Sequence, residues 1–134
     1  MKEIFQNSLA ARYGLNGKVA VPELIRLLKD SNSDVRYNTA DALGAIGPDA
    51  APATSALIQA MSDADANVRD HVISALGEIG PGANQAVPKL IEILKNAPEN
   101  ERKDIVIEAV VALGNIGPMA KDALPYMIKI ANNQ

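Results

Sequence analysis

One histidine, two register-matched arginines and a scatter of carboxylates make up the chemical repertoire of this 134-residue sequence. His71, the only imidazole, has the chemistry of a general base, but that work needs a nucleophile, an oxyanion site or a partner within reach. Its surroundings, Arg69-Asp70-His71-Val72, supply none in sequence, and the expectation is an exposed helical residue. Arg36 and Arg69 stand 33 residues apart, each six positions after an aspartate, Asp30 and Asp63. Guanidinium groups so placed are either anion contacts or structural pairs. Carboxylates are plentiful, yet no pair sits in the apolar setting that splits two pKa values into an acid and a base. There is no Gly-x-Ser-x-Gly elbow. With no cysteine, there is no thiolate nucleophile, thiolate metal site or disulfide framework. The reading is a chain with no catalytic residue, no metal site and no cofactor.

A chain of this length forms one domain with room for a core. Hydrophobic residues make up 48% and aromatics 3%, with one Phe and no Trp. The core must therefore be Ala, Leu, Ile and Val, small side chains that suit closely stacked helices. The N-terminal Met1-Lys2-Glu3-Ile4-Phe5-Gln6-Asn7 holds no apolar secretion signal. No run nears the roughly 18 apolar residues of a membrane span; the stretch from Ile105 to Leu113 is broken by Glu108. A net charge of −3 argues against a nucleic-acid surface, which needs clustered Lys and Arg. A soluble, cytoplasmic protein without membrane or nucleic-acid partners is expected.

The elements that position these residues repeat. Gly44-Ala45-Ile46-Gly47-Pro48 recurs as Gly77-Glu78-Ile79-Gly80-Pro81 and Gly114-Asn115-Ile116-Gly117-Pro118, at steps of 33 and 37 residues. Each unit reads as two helices. The first carries Leu24, Ile25 and Leu28, then Leu57, Ile58 and Met61, then Leu90, Ile91 and Leu94 at helical spacing. Polar turns follow, in which Asn32 and Asp65 are placed to cap the second helix. Gly47, Gly80 and Gly117 suit the left-handed position that ends it, and the next residue is a proline. Gly44, Gly77 and Gly114 lie inside the second helix at a cost of about 1 kcal/mol each relative to Ala, which points to close helix approach. A single pair cannot bury its apolar face, so the pairs stack. The expected layout is a single domain over 1–134. A degenerate helix (1–20) precedes repeats at 21–52, 53–86 and 87–123, and a terminal helix (124–134) follows. The extra four residues fall within 95–103.

Ankyrin and tetratricopeptide signatures are absent. Val87-Pro88-Lys89-Leu90-Ile91, and Val68-Arg69 followed by Ala75-Leu76-Gly77-Glu78-Ile79-Gly80-Pro81, resemble the HEAT-like repeat, particularly the short form also found in phycobilisome bilin lyases. The resemblance spans almost the whole chain. It implies an all-α, right-handed α-α superhelix of about three full repeats with a half-repeat at each end. It also implies that Asp30, Arg36, Asp63 and Arg69 form a ladder tying neighbouring repeats together. The ladder should stop in the third repeat, where Asn96 and Val106 replace the Asp and Arg. Some HEAT-repeat hydroxylases bind two metals through His-Glu pairs; none exists here. HEAT-like DNA glycosylases need a basic, aromatic-lined groove, which this composition does not provide.

HEAT arrays place second helices on the concave side, where partners bind. The resemblance thus implies a stripe of twelve positions: Tyr37, Asn38, Asp41 and Ala45; Asp70, His71, Ser74 and Glu78; Ile107, Glu108, Val111 and Asn115. It holds four carboxylates and no Lys or Arg. The function expected is a non-enzymatic scaffold that binds a basic or mixed protein or peptide surface on an acidic concave face. The alternative is a bilin lyase or a subunit of one. Leu124, Met127, Ile128 and Ile130 lack a following repeat, so self-association through a solenoid end is a further expectation.

Overall fold

The computed structural model describes residues 17–96 and 102–117, together with residues 121, 123–125 and 128. Three expectations lie wholly or partly outside these: the degenerate helix before residue 17, the loop residues 97–101, and Met127 and Ile130 of the terminal helix. Among the described residues all regular structure is helical. The α-helices are α1 Val21–Leu27, α2 Ser33–Ile46, α3 Thr54–Ala60, α4 Ala66–Ile79, α5 Val87–Asn96 and α6 Arg102–Ile116.

The starts and stops of the second helices follow from particular residues. Asn32 accepts the backbone N–H of Asp34 at 2.8 Å, and Asp65 accepts those of Asn67 and Val68 at 2.8 and 3.2 Å. These caps satisfy donors with no partner inside the helix. At the other end Gly47 and Gly80 have φ of 76° and 82° but ψ of −140° and −144°. The expected left-handed helical conformation is thus replaced by a different positive-φ region, one open essentially to glycine alone. This geometry turns the chain into 3-10 segments, Gly47–Ala53 and Gly80–Ala86, rather than directly into the next helix. Their alanines Ala50, Ala53, Ala83 and Ala86 are buried and seat each pair on its neighbour.

The helices form two layers around a core of small aliphatic side chains. Leu24, Leu57 and Leu90 enter it from α1, α3 and α5, and Leu43, Ile73, Leu76, Leu113 and Ile116 from α2, α4 and α6. The second helices lie side by side, α2 along α4 and α4 along α6, whereas α1 and α3 meet chiefly their own second helix and the 3-10 segments. Glycine makes that contact possible. A Cβ added to Gly44 would stand 3.2 Å from Cα of Ala75, and one added to Gly77 would stand 2.9 Å from Cα of Ala112. Gly114, in the same position on α6, has nothing within 4 Å. No helix among the described residues is long and apolar enough to cross a membrane.

Candidate functional site

Neighbouring second helices meet in a stagger that separates the stripe into two seams and a free flank. Across the α2/α4 seam, Tyr37 and Asp41 of α2 reach His71 of α4, and the Glu78 carboxylate lies over Gly44. Across the α4/α6 seam, Asp70 of α4 is electrostatically coupled to Glu108 of α6, and Asn115 lies over Gly77. Asn38, in the register of His71 and Glu108, is half-buried at the near edge of α2. Ala45 and Ser74 are exposed. Ile107 and Val111, 54% and 55% exposed, stand on the far flank of α6.

Across the first seam the opposed side chains are hydrogen-bonded, although Oδ1 of Asn38 and Oδ2 of Asp41 are buried and accept no hydrogen bond among the described residues. Nδ1 of His71 lies 2.6 Å from Oδ1 of Asp41, donating to the carboxylate, with the two side chains 31% and 14% exposed. The imidazole also stands 5.0 Å from the Tyr37 ring at a tilt of 39°. The expected exposed histidine is therefore half-buried and partnered. Sequence could not show this, because Asp41 lies 30 residues away and meets it only through the glycine-mediated approach of the helices.

Below this contact, Arg36 makes a two-pronged pair with Asp63: Nε donates to Oδ2 at 2.8 Å and Nη2 to Oδ1 at 3.1 Å. Its Nη1 donates to the carbonyl of Asp30 at 2.8 Å, so the ion pair runs from one repeat to the next. The Asp30 carboxylate instead accepts the N–H of Asn32. Burial works to raise the Asp63 pKa. Hydrogen bonds from Arg36 and the Asp65 N–H overcome it and hold the carboxyl below its ordinary value. Arg69 donates to the carbonyls of Asp63 and Ala64 and makes no ion pair among the described residues.

The second seam carries an excess of carboxylates among the described residues. Burial raises the Asp70 pKa, and Asp104 adds to the shift against the pull of Arg69 and His71. Burial likewise raises Glu108, reinforced by Asp70 and Asp104 and opposed by His71. Oε2 of Glu108 is buried without a hydrogen-bond partner. Asp104 was no part of the expected stripe. Its spacing of four residues before Glu108 on one helix is the sequence signal that places the two carboxylates on a shared face. The described residues contain no group of three or more His, Asp or Glu able to hold a metal. What this seam offers chemically is a half-buried negative potential with an unused acceptor.

Stacked helical pairs sharing one core and one register define a helical repeat protein. A model of HEAT repeats matches residues 21–110 and again 54–134, and the chain belongs to that family. The match is to HEAT repeats at large and does not single out the bilin-lyase form. No curated protein matches the chain.

Proposed function

We propose that this chain is a non-enzymatic interaction scaffold whose second-helix face takes a cationic side chain of a protein partner into the α4/α6 seam. HEAT repeats commonly serve as protein-interaction scaffolds. The second helices are the more closely packed layer, and the closer-packed layer of a stack lies at the smaller radius. A partner on that side touches several repeats at once.

The observation that carries this reading is the pair Asp70 and Glu108. Two carboxyls held above their ordinary range, chiefly by burial, with Asp104 adding to both and Asp70 to Glu108, stand beside an acceptor with no donor among the described residues, Oε2 of Glu108. A lysine ammonium or arginine guanidinium placed there supplies the donor and turns repulsion into attraction. Asp41, already bonded to His71, contributes surface more than open charge. Tyr37, Ser74 and Glu78 widen the contact toward a mixed peptide or protein face.

Titration of isotope-labelled protein with a peptide rich in Lys and Arg tests the proposal. The expected amide shifts concentrate in α4 and α6, weaken with added salt and vanish in the Asp70→Asn/Glu108→Gln double variant. An acidic peptide should leave the spectrum unmoved. Shifts spread evenly over the chain, or identical titration of the double variant, would overturn the reading.

A further inference from the structure

We propose that the partner motif taken by this scaffold is of mixed charge: beside the cation seated at Asp70 and Glu108 it presents a carboxylate, which the guanidinium of Arg69 receives. This second anchor rests on the cationic seat proposed above and adds an opposite charge next to it. Two register-equivalent arginines, Arg36 and Arg69, carry the case.

Both side chains are tethered over the turn before their own helix in the same way. Nη1 of Arg36 donates to the carbonyl of Asp30 at 2.8 Å. Nη1 of Arg69 donates to the carbonyl of Asp63 at 2.8 Å and to that of Ala64 at 3.3 Å. A guanidinium is a rigid, planar fork, so a tether at Nη1 orients Nε and Nη2 as well. The two arginines differ in what those nitrogens meet. Arg36 directs them at the two carboxylate oxygens of Asp63, 27 residues further along the chain. At the same distance after Arg69 stands Asn96, exposed at the last position of α5. An amide has no charge and a single acceptor oxygen, so it cannot take both prongs as a carboxylate does. Among the described residues Arg69 makes hydrogen bonds through Nη1 alone. The first repeat junction thus shows which group completes such a fork, and the second lacks it.

The open fork lies next to the cationic seat. Arg69 directly precedes Asp70 on α4, and Asp70 feels the charge of Arg69 as well as that of Asp104 on α6. In register with Arg36, Arg69 is directed at the end of α5, while Asp70 is coupled to Glu108 on α6. A ligand lying there meets a positive fork beside a negative pair. An all-basic segment satisfies the pair and sets a like charge near Arg69. A lone carboxylate is held weakly, because an isolated, partly exposed ion pair contributes little, which is why an acidic peptide alone gives no signal. Joined to a seated cation, the same carboxylate binds at high effective concentration.

Binding at low salt of a peptide rich in Lys and Arg, and of a series in which one Glu is walked along it, tests the second anchor. At one position, or two neighbouring ones, the Glu should tighten binding about three- to fivefold; elsewhere it should weaken binding by subtracting charge. Arg69→Gln should abolish the gain. Because that variant also releases the tethered turn, Asn96→Asp is the cleaner measurement. It restores the carboxylate that Asp63 supplies at the first junction, and should remove the gain while the peptide without Glu still binds. A Glu that helps at no position, or a gain that survives Asn96→Asp, overturns the proposal and leaves the cationic seat standing. A gain that appears only in the Glu99→Gln/Glu101→Gln variant would mean that the chain fills its own fork, and overturns it too. Failure of the peptide without Glu to bind sinks the cationic seat and this anchor together.

Discussion

The α2/α4 and α4/α6 seams share a helical register and a glycine-mediated approach, yet they differ in how charge is handled. In the first, Arg36 pairs with Asp63 and His71 with Asp41. In the second, Asp70, Asp104 and Glu108 converge, and Arg69 is spent on backbone carbonyls. Since the packing is common to both, the electrostatic difference is not required to hold the repeats together. A solenoid is stabilised by its neighbour interfaces, and the first seam supplies hydrogen-bonded partners to its charged groups. The second holds an excess of carboxylates among the described residues, the feature on which the proposed binding role rests.

Substituting the seam glycines tests whether the packing is in fact common. Gly77→Ala pushes a Cβ to 2.9 Å from the Ala112 backbone, which cannot swing aside, and should destabilise by about 1–3 kcal/mol. Gly44→Ala should cost less, because the nearest atom, 2.5 Å away, is the end of the flexible Glu78 side chain. Gly114→Ala meets open space and should stabilise α6 by about 0.5–1 kcal/mol through helix propensity alone. Urea unfolding at low protein concentration measures all three. Equal effects at the three glycines would break the common-packing premise.

Asp63→Ala removes the acceptor for Arg36 and for the Asp65 N–H, and should cost about 1–2 kcal/mol. Asp70→Ala removes a charge that burial already disfavours, and should cost much less. If the two losses are equal in the same unfolding assay, the contrast between a compensated and an open seam fails.

The fold was legible because its signals are local: glycine spacing, caps at Asn32 and Asp65, and leucines at helical intervals are each read within one repeat. The seams were not, because they join residues about one repeat apart in sequence. The twelve positions lie on second helices, but a list of equivalents does not say that Asp41 meets His71 while Ile107 stays over half exposed. Once consecutive helices are known to stagger, His71 becomes a partner of the preceding helix, and Glu108 becomes a partner of Asp70. The missing piece was the direction in which each position points, a property of pairs of helices rather than of either sequence segment. The 3-10 segments were missed for a similar reason: Gly47 and Gly80 mark a stop, but their ψ near −140° sets where the chain goes next.

The smallest expected effect is also the sharpest in sign. The Asp63 pKa is lowered by folding from its ordinary 3.8, so its contribution is present above that value and disappears as pH falls through the depressed folded pKa. Asp70 and Glu108 are raised from 3.8 and 4.5; their contribution is complete below those values and is lost as pH rises through the higher folded pKa. The two seams therefore titrate in opposite directions. At neutral pH the Asp70→Asn/Glu108→Gln variant should be more stable than the parent by a few tenths of a kcal/mol, since half-exposed charges are screened. That advantage should shrink as the pH drops through the folded pKa values of the pair and be gone below about pH 4, where the parent carboxyls are neutral as well. Asp63→Asn should instead be less stable at neutral pH, with its deficit closing only at still lower pH. Stability curves of the three proteins from pH 3 to 7 decide it: a double variant that is less stable than the parent at neutral pH would mean that Asp70 and Glu108 are compensated in the folded protein, and the two seams would then be alike.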